Sequence, residues 1–328
     1  MSRDVRRSTG KQHKRYRVAL VGLGAMGRRH ARVMCSLPER YEVIGAYDER
    51  ADRRSGPGLV PLASEDEAIA RAEVLVVATP NAAHAGTATR ALAAGRHVLV
   101  EKPLCAIAAE ARALEVLARG PARLFVGHSE RFNPVIRALG RLVRSEPVAA
   151  IDLLRVGPTR PTGCGVLVNL GVHDLDLAAY LGGGEMTLRG AAGASVWDEP
   201  GEDLAHVLLT AASGAAAHVY VDRTFPERRR WITLTTAGWI YEGDLLACRL
   251  VRTARDTGAR TEVPLALGEP LMAQAVALAD ALDGAPSREI ATAADGMRAV
   301  VLAERAAADC IAAPPIARPP AFRAAEKL

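Results

Sequence analysis

Three glycines, Gly22, Gly24 and Gly27, form a G-x-G-x-x-G pattern between an apolar run and a stretch of helical periodicity. An acidic residue, Asp48, follows 21 residues after the last glycine, at the end of a second apolar run. The first glycine permits a tight turn, the second lets the backbone approach a pyrophosphate, and the third lets the helix pack on the strand. This context predicts a dinucleotide-binding unit rather than a chance glycine-rich turn.

The same unit predicts which dinucleotide is bound. The helix start, including the backbone of Ala25 and Met26, would offer unpaired N–H groups to the phosphates. The carboxylate of Asp48 would accept hydrogen bonds from ribose hydroxyls and repel a 2′-phosphate, which favours NAD over NADP. Arg50 lies close enough to pair with such a phosphate and keeps NADP as the alternative.

Strand-like and helical stretches alternate through the first half of the chain, which is typical of a parallel sheet with helices on both faces. After about residue 147, consecutive alternating runs with short turns indicate a mostly antiparallel sheet. The predicted fold class is α/β, with an N-terminal Rossmann domain and a C-terminal α+β domain built on a mostly antiparallel open sheet. The predicted strands are 16–21, 42–47, 74–78, 98–101, 124–127, 188–197, 204–210, 216–224, 231–236 and 246–253, and the predicted helices are 26–37, 65–72, 82–94, 107–118, 167–181, 271–282 and 293–309.

The 328 residues are enough for two domains with separate cores. Five scattered cysteines without a CxxC pair predict a reducing cytoplasm, with neither a disulfide framework nor a zinc site. No apolar run approaches the roughly 20 residues that span a bilayer, and the basic start lacks a signal-peptide core. We therefore expect no membrane and no nucleic-acid partner. The predicted divisions are a basic disordered extension at 1–14, a dinucleotide-binding domain at 15–131, a substrate-binding and oligomerisation domain at 132–312 and a Pro/Ala-rich tail at 313–328.

Lys102 is the only lysine between Lys14 and Lys327 in a chain with 42 Lys plus Arg. A compact ammonium has three donors and shifts its pKa on burial, whereas a guanidinium stays charged. The residue follows a predicted strand in Glu101-Lys102-Pro103, at the sheet edge where α/β proteins bind ligands. Lys102 is therefore a candidate catalytic residue, although chance retention of a surface lysine would leave the same pattern.

A second loop at this edge contains Thr79, Pro80 and Asn81, with His84 in the following helix. These residues could line the cofactor near the ribose and nicotinamide. Helix capping by Thr79 or Asn81 beside Pro80 explains the loop equally well, and His84 fits an ordinary helix-face histidine.

Asn169, His173 and Asp176 are spaced by four and three residues, which predicts one polar helical face. Oxidation of a secondary alcohol needs a base for the hydroxyl proton, and neutral histidine suits that role. Incidental polar residues on a solvated helix are the alternative. A metal site formed by His173, Asp174 and Asp176 is disfavoured, because the three do not share a face and no distant ligand cluster completes them.

Between the predicted domains lies Gly127-His128-Ser129-Glu130-Arg131-Phe132-Asn133-Pro134. So many polar groups after a strand indicate the rim of a cleft. Arg131 could pair with an anionic substrate group, and Asn133 could bind sugar hydroxyls. Asn133 could instead simply cap the helix that begins at Pro134.

Together these motifs, over about residues 15–310, resemble the sugar oxidoreductase family typified by glucose–fructose oxidoreductase and inositol dehydrogenase (Gfo/Idh/MocA). The resemblance places Glu101 and Lys102 beside the cofactor, gives Lys102 the task of orienting the substrate hydroxyl, and makes His173 the proton acceptor or donor. The family usually has Asp at the position of Asn169, so Asp176 is expected to substitute for it. Gly-His-x-Glu-Arg-Phe-Asn-Pro is similar to members acting on nucleotide sugars, notably UDP-N-acetylglucosamine 3-dehydrogenases.

The resemblance implies an NAD-dependent dehydrogenase that oxidises a secondary hydroxyl of a sugar or nucleotide sugar to a ketone, or a ketoreductase running in reverse. It also implies a homodimer or homotetramer. Two alternatives share the fold: an NAD-dependent glycoside hydrolase with no net redox change, and a regulator that binds sugar and dinucleotide without catalysis. Lys102 and His173 argue against the regulator, whereas Asn169 leaves it open.

Overall fold

The computed structural model describes residues 13–54, 56, 58–159, 163–197 and 200–310. Most of the predicted extension and all of the predicted tail therefore lie outside the described residues. In chain order the elements are β1 (Tyr16–Val21), α1 (Ala25–Cys35), β2 (Tyr41–Tyr47), α2 (Glu65–Arg71), β3 (Val74–Val77), α3 (Asn81–Ala93), β4 (His97–Glu101), α4 (Ala108–Leu117), β5 (Leu124–Gly127), α5 (Pro134–Leu142), β6 (Val148–Val156), α6 (Val172–Gly182), β7 (Met186–Ala194), β8 (Leu204–Ala211), β9 (Ala216–Asp222), β10 (Arg229–Thr236), β11 (Trp239–Asp244), β12 (Arg249–Ala254), β13 (Arg260–Glu262), α7 (Pro270–Leu282), β14 (Ala291–Thr292) and α8 (Ala293–Cys310).

The first sheet has the order β14-β5-β4-β3-β1-β2 and is parallel except at β14. All four residues of β3 are buried, as expected for a strand whose two faces are both covered by helices. The carboxyl ends of the parallel strands meet at one edge. Gly22, Asp48, Thr79, Lys102 and His128 follow five different strands there, so the fold brings together residues that are distant in sequence.

The second sheet has the order β13-β12-β11-β10-β6-β9-β8-β7, and its pairs are antiparallel except β6 with β9. One face packs on α5, α6 and α8, and the other is open. The fold class is as predicted. Three strands of this second sheet, β6, β11 and β13, were not predicted from the sequence. In β11 the sequence Trp-Ile-Tyr-Glu-Gly-Asp contains Glu, Gly and Asp, which are depleted in strands, so pairing with β10 and β12 stabilises what local propensity does not.

The C-terminal part of the chain returns to the first sheet. Helix α7 packs against α1, with Leu271 and Leu278 in a core shared with β1 and β2, and β14 pairs with β5. The predicted domain boundary at residue 132 would assign α7 and β14 to the second domain, whereas in space both elements complete the first domain. Among the described residues, no helix combines the length and apolar character needed to cross a membrane.

Candidate functional site

The glycine turn has the geometry that its sequence requires. Gly22 has φ of +91°, and a Cβ there would lie 2.5 Å from the carbonyl of Ala78. A Cβ on Gly27 would lie 1.9 Å from the carbonyl oxygen of Gly22, so helix α1 approaches the turn too closely for any side chain. A Cβ on Gly24 would meet nothing within 4 Å. The first and third glycines are thus required by the fold, and the second leaves its backbone open to a ligand.

Beside this turn lies a cavity of about 550 Å³, lined by Gly22, Gly24, Asp48 and Thr79 among others. The carboxylate of Asp48 accepts hydrogen bonds from the backbone N–H groups of Leu23 (2.6 Å) and Arg50 (2.9 Å), which fix it at the cavity wall. The hydroxyl oxygen of Thr79 is buried and has no hydrogen-bond partner. An open glycine backbone, a fixed carboxylate and an orphaned hydroxyl fit a dinucleotide with its ribose at Asp48.

The close approach at Gly27 gives a direct test of the turn. We expect Gly27→Ala to lower the melting temperature, by a destabilisation of about 1–3 kcal/mol, and to weaken NAD binding, because the methyl group must displace backbone. Gly86 lies in α3, where a Cβ meets nothing within 4 Å, so Gly86→Ala is the matched control and should be neutral or stabilising. Thermal unfolding and NAD titration of both variants measure the difference. Equal behaviour would contradict the assignment.

Lys102 follows β4 directly, and its ammonium Nζ donates a hydrogen bond to the backbone carbonyl of Asn169 at 2.9 Å. Burial lowers the pKa of Lys102 from its ordinary value, and Glu101 partly opposes this by favouring the cation. One of the three ammonium donors is thus used to connect the two domains, and two remain for a substrate.

Glu101 was predicted to lie beside the cofactor, but its side chain does not line the cofactor cavity. Its carboxylate is buried 2.6 Å from Nε2 of His30 in α1, and it accepts the backbone N–H of Lys102 at 3.2 Å. Burial raises the pKa of Glu101, but the hydrogen bond and charge of His30 outweigh it and the net shift is downward. Glu101 therefore positions the Lys102 loop against α1. The histidine three residues after Gly27 was the signal that the sequence analysis missed.

His84 is likewise a buried structural residue and not a cofactor ligand. Its Nδ1 lies 2.8 Å from the carbonyl of Pro103 and its Nε2 lies 2.9 Å from the carbonyl of Thr79. The ring therefore holds the Lys102 loop to the loop after β3. Asn81 is the first residue of α3 and is half-buried, and Pro80 is the residue that precedes the helix.

His173 lies at the start of α6, directly after a π-helical turn at Leu167–Gly171 that contains Asn169. Such turns interrupt the regular spacing of a helix and are frequent at functional sites. Nδ1 of His173 and Nδ2 of Asn169 are both buried without a hydrogen-bond partner. Burial and then the charge of Lys102 hold the pKa of His173 well below its ordinary value of 6.5. The lowered pKa favours the neutral imidazole at neutral pH.

Two predictions for the Gly127–Pro134 segment and one for α6 need correction. The guanidinium of Arg131 forms a bidentate pair with Asp176, at 2.8 and 2.6 Å, and is buried. Arg131 is thus not free to bind substrate, and Asp176 does not replace the family carboxylate by direct contact. Asn133 caps α5 by accepting the N–H of Val135, and its amide donates to the carbonyl of Leu245. Of the two roles considered for Asn133, binding sugar hydroxyls and capping a helix, it therefore has the second. The prediction for Asp176 assumed only the regular spacing of a helix. It did not take into account that the buried guanidinium of Arg131 would bind the Asp176 carboxylate.

A charged network that the sequence did not reveal adjoins His173. Arg155 of β6 pairs with Asp174 at 2.6 and 3.1 Å and lies 3.6 Å from Glu130, which also pairs with Arg230 of β10 at 2.6 Å. Arg155 and Arg230 contribute to the low pKa of His173. Among the described residues, no group of three or more His, Cys, Asp or Glu side chains is arranged to hold a metal ion.

A glycine turn, an acid after β2 and a Lys–His pair at the sheet edge define a dinucleotide-dependent oxidoreductase. Residues 16–128 match the model described as oxidoreductase family, NAD-binding Rossmann fold, and residues 154–241 match the Gfo/Idh/MocA C-terminal domain. The chain belongs to the Gfo/Idh/MocA family of oxidoreductases. Its first domain is an NAD-binding domain, as the sequence predicted.

Relatives in this family include dehydrogenases of a nucleotide sugar and of inositol. UDP-N-acetylglucosamine 3-dehydrogenase of Acidithiobacillus ferrooxidans is 29% identical over 65% of this chain and 69% of its own length. Inositol 2-dehydrogenase of Pseudarthrobacter chlorophenolicus is 31% identical over 64% of this chain and 68% of its own length. A solved structure of the Acidithiobacillus enzyme superimposes with a TM-score of 0.82 at 26% identity, covering 90% of this chain and 98% of that one.

Proposed function

We propose that this protein is an NAD-dependent dehydrogenase that oxidises a secondary hydroxyl of a nucleotide sugar of the UDP-N-acetylglucosamine class to a ketone. The observation that carries the proposal is the position of Lys102, whose ammonium bonds the carbonyl of Asn169 and whose charge helps to lower the pKa of the buried His173, at the carboxyl edge of an NAD-binding sheet. A hydride acceptor, an oxygen-binding cation and a proton acceptor are together what alcohol oxidation requires.

The residues divide the work as follows. Asp48 would hold the ribose of NAD and the Gly24 backbone its pyrophosphate, and the dinucleotide would supply the hydride acceptor. The free donors of Lys102 hold the alcohol oxygen and stabilise negative charge that develops on it. His173 takes the hydroxyl proton. Because its Nδ1 is sealed from solvent, Nε2 is the ring nitrogen that meets the substrate.

A nucleotide sugar is supported by charge as well as by the relatives. Lys102, Arg155 and Arg230 give the surroundings of His173 a positive potential, which suits a diphosphate-bearing substrate. Arg230 is half-buried and, within the part of the chain that the structure describes, pairs with Glu130 at hydrogen-bond distance, so it replaces Arg131 as our candidate for the anionic group.

Cofactor choice follows from Asp48. We expect NAD to bind at least tenfold more tightly than NADP, because the fixed carboxylate would repel a 2′-phosphate, and because the guanidinium of Arg50 is paired with Asp52 at 2.8 Å. Titration of both dinucleotides, followed by cofactor fluorescence, measures the ratio. Asp48→Ser should narrow the gap between them. Tighter binding of NADP by the unaltered protein would overturn the assignment and identify Arg50 as a phosphate ligand.

We also propose a homodimer or homotetramer formed through the open face of the second sheet. Leu208 and Trp231 are 56% and 42% exposed on β8 and β10, and burying such residues favours association. Light scattering should give at least twice the monomer mass. Leu208→Asp with Trp231→Asp should reduce it, and a native monomer would contradict the proposal.

The proposed substrate class is tested by a thermal-shift screen with NAD and a panel of nucleotide sugars, free sugars and inositols. A ligand that binds only the native state raises the melting temperature. We expect UDP-N-acetylhexosamines to shift the NAD complex most, and to reduce NAD when mixed with it. A shift only with free polyols would overturn the nucleotide-sugar assignment and leave the dehydrogenase class intact.

A further inference from the structure

His128 is a buried histidine to which neither the fold nor the proposed reaction assigns a task. It follows β5 directly and is 1% exposed. Both of its ring nitrogens are sealed from solvent and neither has a hydrogen-bond partner. Leaving such polar atoms unpaired costs about 1–3 kcal/mol each, so a purely structural role would be better served by an apolar ring.

The position of His128 relates it to the catalytic base. Its ring stands edge-on to that of His173, with centroids 6.4 Å apart and planes at 82°. On its other side, Nδ1 lies 3.7 Å from Oδ2 of Asp176, the carboxylate that Arg131 holds in a bidentate pair. His128 therefore lies between a fixed buried carboxylate and the base of the proposed reaction.

His173 also lacks a hydrogen-bond partner, and its proposed role requires one. As a base it must carry its own proton on Nδ1, so that the lone pair of Nε2 faces the substrate, and a proton on Nδ1 needs an acceptor. The residue four positions earlier, Asn169, offers an amide and no carboxylate to accept this proton. Here the amide nitrogen of Asn169 and Nδ1 of His173 are both buried and unpartnered.

We propose that His128 is a positioning residue that fixes the tautomer of His173, with Asp176 as its anchor. In this arrangement Asp176, 3.7 Å away, orients Nδ1–H of His128, and the lone pair on Nε2 of His128 supports Nδ1–H of His173 through a bridging water, because ring centroids 6.4 Å apart are too distant for a direct hydrogen bond. No proton is transferred to His128: the substrate proton stays on Nε2 of His173.

The surrounding charges keep this arrangement neutral. His173 and Asp176 of α6, Arg131 after β5, Asp295 of α8 and Lys102 after β4 are the ionisable groups that act on His128. Burial lowers the pKa of His128, and the effects of the two carboxylates and the two cations oppose each other. His128 can therefore be a neutral donor to Asp176 and acceptor from His173 at neutral pH.

The first test asks whether a carboxylate at position 169 restores the activity that is lost when His128 is replaced. This test rests on the proposed function. We expect His128→Phe to lower kcat/KM by about 10–100-fold, the usual effect of removing such support, while NAD affinity stays within a few-fold. Adding Asn169→Asp should restore most of this loss, because the carboxylate then accepts from His173 directly. His13→Phe, at an exposed histidine that contacts Asp283 away from both the site and the open sheet face, is the control and should leave the rate unchanged. If His128→Phe does not fold, His128→Asn takes its place.

The second test needs no substrate. Long-range ¹H–¹⁵N spectra of histidine-labelled protein report the tautomer of each ring, and His173→Gln assigns the resonance. We expect the Nδ1–H tautomer at His173, a shift toward a mixture in His128→Phe, and its return in the double variant. An unchanged His173 tautomer in His128→Phe, or the Nε2–H form in the unaltered protein, would overturn the proposal. A protein without dehydrogenase activity that still shows the expected spectra would instead overturn the proposed reaction alone.

Discussion

Lys102→Ala should reduce turnover by at least about 10³-fold, equivalent to roughly 4 kcal/mol of transition-state stabilisation, while NAD affinity stays within a few-fold. The ammonium is the donor beside the neutral His173, whereas the dinucleotide cavity is lined by other residues. Loss of the charged Nζ hydrogen bond to the carbonyl of Asn169 costs about 1.5–3 kcal/mol of stability, which is below the total stability of an ordinary domain, so the variant should remain folded. Initial rates, NAD titration and thermal unfolding separate these effects.

Lys102→Arg should be nearly as inactive, because a planar guanidinium cannot reproduce the compact ammonium between Asn169 and the substrate. Lys14→Arg is the matched control: Lys14 forms an ion pair with Glu73 at the surface and should tolerate the change. An Lys102→Arg variant with the rate of the unaltered protein would contradict the role given to Lys102.

The second large effect concerns His173 and pH. His173→Ala should lower kcat/KM by about 10²–10⁴-fold, the range of general-base contributions. In the unaltered protein the pKa of His173 is lowered, so the neutral, active form should persist well below pH 6.5 and activity should fall only as pH drops through that low pKa. Asn169→Asp places a carboxylate near the ring, favours the imidazolium and should move this acidic limb to higher pH.

Profiles of kcat/KM against pH for the unaltered protein, His173→Ala and Asn169→Asp measure these shifts, with His13→Gln, at an exposed histidine, as the control. Asp176→Asn is unsuitable, because it would disrupt the buried pair with Arg131 and destabilise the fold by about 3–5 kcal/mol. Coinciding profiles, with His173→Ala active, would show that His173 is not the base.

Local sequence predicted the features that depend on local chemistry. The glycine spacing, the acid after β2, the Lys102 loop and most of the parallel strands follow from backbone geometry and apolar periodicity, and the fold and family agree with them. The pairing of β6 with β10 brings Arg155 opposite Arg230, which is a matter of register between strands far apart in sequence. No local pattern could reveal that, nor the return of α7 and β14 to the first sheet.

The site residues show the same limit. Glu101, His84 and Arg131 each bind a partner from another segment instead of facing a ligand, and Asn133 takes the capping role that the sequence left open. The π-helical turn at Asn169 likewise changes the spacing on which the Asp176 prediction depended. A sequence gives the strand end at which a polar residue lies, whereas the packed neighbours decide which way its side chain points.

The most direct measurement of the proposed reaction is the stoichiometry of NADH and ketosugar when the protein, NAD and UDP-N-acetylglucosamine are mixed. Absorbance at 340 nm and mass spectrometry of the sugar product should give one NADH per molecule of substrate that loses two hydrogens, and neither product with Lys102→Ala. Cleavage of the glycosidic bond without accumulation of NADH would contradict the dehydrogenase and identify a hydrolase. Binding of NAD and nucleotide sugar without conversion of either, in both directions of the reaction, would identify a regulator.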